Sequence, residues 1–344
     1  MDNRPTIITI AQLAGVSHVA VSRALRGCSD ISSETTERIK EIARNIGYMP
    51  NAAARSLSSK RSNSIGMIVP TMAENTAYST VFNEISMLAA ANNYCVLLGS
   101  SHRSTDLERK HCQMMCENRV GALIVASSGS DISHIKEACK GLLPVIFIGG
   151  KAGTEETYSL YCDYRHSATI VVEHLYDLGH REIALFTYGP ENNTIHQKKD
   201  GFTEEMTKRG LIPHIYTHGH ADKTSTAGRE LAEYLINDEK LPTAIWCASD
   251  LMAMGVLNAL RTHGVRVPED ISLIGHDDLY FSRLSGVELT TLHTPMQEIG
   301  KAAVELAIGL IEKKNFQPQQ VFKPSLVLRR TTGPKPSGNK SSGK

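Results

Sequence analysis

The chain opens with three apolar stripes at helical spacing. Ile7, Ile10, Ala11 and Ala14 fall at i, i+3, i+4 and i+7, which predicts an amphipathic helix ending near Ala14, and Gly15 supplies the sharp turn after it. Ser17 is a good N-cap, and Val16 and Val21 occupy the N′ and N4 positions of a hydrophobic staple. A second helix therefore starts at once, with Val21 and Leu25 facing inward. A third begins near Ser32, aligns Ile39, Ile42, Ala43 and Ile46, and stops at Gly47, whose missing side chain admits a left-handed cap. The outer face of the second helix carries His18, Val19, Ser22, Arg23 and Arg26, a mixture of donors, cations and an apolar contact such as a major groove requires. Thr6 and Ser17 are counted with them as DNA-contacting positions.

From Asn51 to Lys60 the run N-A-A-A-R-S-L-S-S-K holds good helix formers, but only about eight useful residues, below the roughly 12–15 at which an isolated helix becomes marginal in water. It is expected to order only on a partner. Beyond a Ser-rich joint at Ser58 to Ser64 the pattern becomes short apolar runs alternating with helical segments. Strands are expected at Ile65–Val69, Cys95–Gly99, Ala122–Ala126 and Val145–Ile148, with helices at Tyr78–Asn92, Thr105–Asn118 and Ile132–Lys140. A second series comes next: helix Tyr164–Leu178, strand Ile183–Thr187, helix Ile195–Arg209, strand Ile215–Tyr216, helix Thr226–Leu235, strand Ala244–Cys247, helix Leu251–Thr262 and strand Ser272–Ile274. Such alternation predicts βαβ units, and so an α/β body of two doubly wound parallel-sheet lobes behind a three-helix head.

The run A-G-V-S-x-x-x-V-S-R-A-L at Ala14 to Leu25, G-Y-x-P-N-x-x-A-R-x-L from Gly47 to Leu57, and I-G-M-I-V-P at Ile65 to Pro70, in this order and spacing, resemble the lactose-repressor and galactose-repressor family of bacterial transcription regulators. The likeness continues, more weakly, to about Pro334. It implies a helix-turn-helix head over 1–50 and a hinge helix and linker over 51–62. The body, 63–333, then has the periplasmic sugar-binding fold, with a first lobe over about 63–161 and 293–319 and a second over about 162–292 and 320–333. A polar tail, 334–344, is expected to be disordered. The resemblance further implies that the hinge folds on DNA, pairs with its copy from a second subunit and drives Leu57 between base pairs of the minor groove. Asn51, Ala54 and Arg55 then lie beside that wedge.

Charge is unevenly spread. Nine Lys or Arg against five acids through Ser62 leave the remainder slightly acidic, since the whole chain has 37 basic and 36 acidic residues. A basic head on such a body suits a protein that places one end on a polyanion. The seven cysteines are odd in number and scattered, which fits reduced thiols better than a disulfide framework. Cys112 and Cys116, i and i+4 beside His111, lack a second ligand pair and are read as core or half-buried thiols, not a metal site. No cofactor is expected. The N-terminus lacks the form of a signal peptide and no apolar run reaches bilayer length, so the expectation is a cytoplasmic protein on the nucleoid with no membrane contact.

Ligands of open α/β sheets sit at the carboxyl ends of strands. The loops there offer Tyr78, Asp163, Lys198, Lys223, Ser249 and Asp277. Asp163 and Asp250 read equally as N-caps. By resemblance, Asp277 matches an acid that holds sugar hydroxyls or a purine, and Ser249 stands where many members carry Asn. Lys198 replaces an effector-binding Arg, and an ammonium is a compact point charge where Arg is a planar fork. With Lys223 it favours an anion, a sugar acid or a phosphorylated sugar. The leading reading is a repressor of carbohydrate-utilisation genes, a homodimer on a pseudo-palindromic duplex operator. The competing readings are a cytoplasmic sugar-binding protein and a sugar-metabolising enzyme using the same cleft. Against the enzyme, no G-x-S-x-G, G-x-x-x-x-G-K or H-E-x-x-H motif is present.

Overall fold

The computed structural model describes residues 5–49, 62–72, 76–126, 131–150, 157–189, 193–219 and 224–336. Contacts divide the chain into two units, Met1–Arg61 and Ser62–Lys344. In the first, helices α1 (Ile7–Ala14), α2 (His18–Leu25) and α3 (Ser33–Asn45) are set by their ends as much as by their core. Thr6 closes a capping box with Thr9, Ser17 Oγ accepts the Ala20 N–H at 3.2 Å, and Ser32 caps α3 through Thr35. All three helices stop alike. Gly15, Gly27 and Gly47 take φ of 64°, 72° and 66°, and the next residue's N–H returns to the helix: Val16 to Ala11 O, Cys28 to Arg23 O, Tyr48 to Ala43 O. Any other residue there would carry a penalty of roughly 1–2 kcal/mol. The chain bends by 105° between α1 and α2, within the roughly 90–120° of a helix-turn-helix. Ile10, Val21, Ala24 and Ile39, fully buried, fill the space between them.

The second unit runs, in its first lobe, β1 (Ser64–Val69), α4 (Thr76–Ala91), β2 (Cys95–Ser100), α5 (Thr105–Glu117), β3 (Ala122–Val125), α6 (Ser133–Cys139), β4 (Val145–Gly149) and β5 (Tyr158–Cys162). The second lobe continues with α7 (Tyr164–Asp177), β6 (Ile183–Tyr188), α8 (Asn193–Lys208), β7 (His214–His218), α9 (Thr224–Asn237), β8 (Ala244–Cys247), α10 (Asp250–Thr262), β9 (Ser272–Asp277), a 3-10 turn (Tyr280–Arg283) and β10 (Thr290–His293). The chain then returns to the first lobe for α11 (Met296–Ile311) and β11 (Gln319–Phe322) and ends in the second with β12 (Ser325–Val327).

The inner strands of both sheets are covered on both faces, which is why β1, β3, β6 and β8 are almost continuously apolar. Ile65, Met67 and Ile124 point to α4 and α11, while Ile68, Leu123 and Val125 point to α5 and α6. In the second lobe Phe186 and Ile245 face α9 and α10, and Leu185 and Trp246 face α7 and α8. The strand orders, β11-β5-β4-β3-β1-β2 and β12-β10-β9-β8-β6-β7, repeat one plan that reverses at β1/β3 and at β6/β8. Among the described strands only β12 is antiparallel to its neighbour.

Two expectations need correction. β11 pairs in parallel with β5, from Gln319 opposite Ser159 to Phe322 opposite Cys162, so the last crossing lies at Lys323–Pro324 and not at 320. The Asp163 N–H, donating to Phe322 O at 2.9 Å, ties that crossing to the first one. The tail does not begin at 334 either, since the Lys335 N–H donates to Leu178 O at 2.9 Å. Among the described residues no single helix is long and apolar enough to cross a membrane.

Candidate nucleic-acid interface and ligand cleft

α2 turns His18, Val19, Arg23 and Arg26 outward and leaves Ser22 half-buried. Val19 is 52% exposed and packs into no core, so the outer side of α2 is open to solvent. Arg26 Nε donates to Ser22 O at 3.1 Å, folding its side chain back along the helix, and Arg23 forms an ion pair with Asp30. Thr6 and Ser17 are engaged locally as N-caps. Asn51, Ala54, Arg55 and Leu57 lie outside the described residues, as does Lys223.

The body's candidates gather at the carboxyl ends of the strands. Lys198, on α8, is 4% exposed, and its Nζ donates to Ala248 O at 2.8 Å, just past β8 at the point where the strand order reverses. The ammonium stands 4.9 Å from the Tyr164 ring centroid. Burial pulls its pKa down to about 8, with the charge of Asp277 opposing. No carboxylate lies within ion-pair distance of it among the described residues, so a buried cation keeps N–H donors to spend. Asp277, at the end of β9, holds φ 104°, and burial pushes its carboxyl up to about 6 against the pull of Lys198. Tyr78, in the first turn of α4, is half-buried, and loss of solvent raises its phenol to about 12. It senses the charge of Asp277, so the first lobe's tyrosine and the second lobe's acid share one electrostatic environment.

The remaining candidates play supporting parts. Asp163 is the N-cap of α7, accepting the His166 N–H at 2.9 Å, and Ser249 is the buried N-cap of α10 through Met252. Asp250 is not a cap. Fully buried, it accepts the Leu279 N–H at 2.7 Å and the Thr291 hydroxyl, and so secures the turn that presents Asp277. Burial raises its carboxyl to about 8. Gly275 beneath it is obligatory, since a Cβ there would lie 2.1 Å from Asp250 Oδ1. Asp278 points elsewhere, bonded to Arg329, to Arg283 at 3.3 Å and to His293 at 3.4 Å, so the adjacent carboxylates do not face one substrate as acid and base.

Residues not anticipated from sequence surround these candidates. Arg103, in the loop leaving β2 with φ 60°, acts electrostatically on both Tyr78 and Tyr188, whose phenol burial raises strongly. It lies just past the expected strand Cys95–Gly99, but nothing in the polar run S-S-H-R-S-T sets Arg103 apart from its neighbours. His276, wholly buried between Tyr164 at 5.5 Å and Trp246 at 6.1 Å, is kept neutral by burial and by Lys198. Among the described residues neither of its ring nitrogens has a hydrogen-bond partner. Cys112 is buried and Cys116 half-buried in an apolar cluster, and among the described residues no three His, Cys, Asp or Glu side chains are grouped to hold a metal.

Comparison with known proteins agrees with both halves. Residues 6–51 match the profile described as bacterial regulatory proteins, lacI family, and residues 172–332 match a periplasmic binding protein-like domain. Catabolite control protein A of Priestia megaterium is 30% identical over 329 residues, 95% of this chain and 99% of that protein. The HTH-type transcriptional repressor PurR of Glaesserella parasuis is 30% identical over 334 residues, 94% and 97% of the two chains. The crystal structure of the lac repressor dimer bound to operator and the anti-inducer ONPF superposes with a TM-score of 0.87 at 26% identity, over 96% of this chain and all of that one. A helix-turn-helix head, two lobes of one doubly wound plan and likeness along nearly the whole length therefore make this chain a member of the lacI family of bacterial regulatory proteins, a DNA-binding transcriptional regulator of the repressor type.

Proposed function

We propose that the protein acts as a cytoplasmic homodimer that seats α2 in the major groove of each half of a pseudo-palindromic operator, and that its operator affinity is set by a small carbohydrate-like anion, a sugar acid or phosphorylated sugar, held between the lobes. The observation that carries the ligand reading is Lys198, a buried ammonium with a single hydrogen bond and, among the described residues, no paired acid. An isolated buried charge is costly unless something pairs with it, and an incoming carboxylate or phosphate is that partner. Asp277 and Tyr78 then address the ligand's hydroxyls, while Arg103 adds a second cation. Support for the dimer comes from the first lobe: edge strand β2 exposes Leu97 and Leu98, and the helices flanking it expose Met87 and Met114.

Ligand would change the angle between lobes and hence the spacing of the two hinge segments, a coupling typically worth ~1–3 kcal/mol. Calorimetric titration of the full chain with gluconate-type acids and with neutral sugars tests the ligand class. Tight binding of an uncharged sugar with no response to the acids overturns it. A duplex-binding assay across salt tests the head, with a log-log slope of about −0.9 per neutralised phosphate expected.

A further inference from the structure

We propose that Asp30 is a positioning residue for DNA reading: its carboxylate clamps one edge of the Arg23 guanidinium and leaves the other edge for a single guanine. The inference rests on the reading that α2 enters the major groove. Asp30 Oδ1 accepts from Arg23 Nε at 3.2 Å and Oδ2 from Nη2 at 2.7 Å, a side-on bidentate pair. What remains is the end-on fork of Nη1 and Nη2, the edge whose spacing matches O6 and N7 of guanine.

The clamp is mounted firmly. Asp30 lies in the turn between α2 and α3, where Gly27 at φ 72° lets the Cys28 N–H bond Arg23 O at 3.1 Å. Ile31 packs into the head's core and Ser32 caps α3. One short turn therefore holds Arg23 at both its carbonyl and its guanidinium. Arg26, by contrast, leans on the Ser22 carbonyl alone among the described residues.

The clamp acts in two ways. The side-on edge is no longer available to a phosphate, and the acid's own charge opposes any duplex that does not repay it with a base contact. Asp30 should thus weaken nonspecific binding and sharpen the preference for guanine.

The test uses the full chain with two probes, a duplex selected by the wild-type protein from a randomised pool and poly(dA-dT) as nonspecific DNA. In Asp30→Asn, poly(dA-dT) binding tightens and its log-log salt slope steepens by about one phosphate's worth, roughly 0.9. Discrimination between the two probes falls by about fivefold, the scale of a well-formed exposed ion pair. Replacing guanine by 7-deazaguanine in the selected duplex weakens the wild type more than Asp30→Asn, an outcome that mere loosening of the head would not produce, and Asp30→Glu recovers part of the discrimination. If Arg23→Ala loses discrimination while Asp30→Asn changes neither ratio nor slope, the clamp is refuted and the groove reading stands. If Arg23→Ala loses nothing, both fall.

Discussion

Replacing Lys198 by methionine separates stability from ligand recognition. The side chain is 4% exposed, and its pKa drops from the ordinary 10.5 to about 8. At about 1.4 kcal/mol per unit, holding that charge inside costs the unliganded fold roughly 3 kcal/mol at neutral pH. Below pH 8 the lysine is charged in both the folded and the unfolded chain, so the full cost is present. Across pH 8 to 10.5 only the unfolded chain keeps the proton, and stability rises. Above that window the cost is gone. Methionine removes the charge at similar length and loses the bond to Ala248 O, which offsets about 1 kcal/mol. A net gain of roughly 2 kcal/mol raises Tm by about 3–4 °C for a unit as long as Ser62–Lys344. Thermal melts of the full chain at pH 7, with and without gluconate, read both effects: the variant melts higher when unliganded and loses the acid-induced shift. A variant that melts no higher and still responds to the acid refutes the reasoning about a buried, unpaired cation.

The same cleft is expected to take up protons when it binds an anion, because an arriving negative charge raises Lys198 from about 8 and Asp277 from about 6. Titrations at pH 8 in two buffers of different ionisation enthalpy should give different heats, and equal heats would contradict this. Asp250, at about 8 in the fold against 3.8 ordinarily, keeps its proton after the unfolded chain has lost it, so its contribution to stability declines as pH rises from about 4 to 8. Asp250→Asn should flatten that decline in a series of denaturant midpoints, and an unchanged slope would show that another group carries it. Gly275→Ala forces a Cβ to within 2.1 Å of Asp250 Oδ1 and should destabilise the body by roughly 1–3 kcal/mol while weakening ligand binding, whereas a wild-type melt and titration would show that the Asp277 turn tolerates displacement.

Patterns of short range were legible in the residues themselves. The i, i+3, i+4, i+7 stripes, the caps Ser17 and Ser32 and the glycine stops of the head depend on neighbours within a turn or two, and the structure places them as read. The alternation of apolar runs and helices announced two lobes for the same reason, because a strand covered on both faces must be apolar throughout. Tertiary structure alone decided the features that depend on partners distant in sequence. Polar Gln319–Phe322 becomes a strand only because β5 offers a parallel edge, and α11 joins the first lobe only because α4 covers it. Of the adjacent acids, Asp277 acts on Lys198 and Tyr78 while Asp278 binds Arg329, a choice made by backbone turns that no spacing rule reports. Local backbone preference selects elements one at a time, but burial acts on groups brought together from separate strands. The buried charge of Lys198, and the shared surroundings of Tyr78, Arg103 and Asp277, therefore exist only in the folded chain.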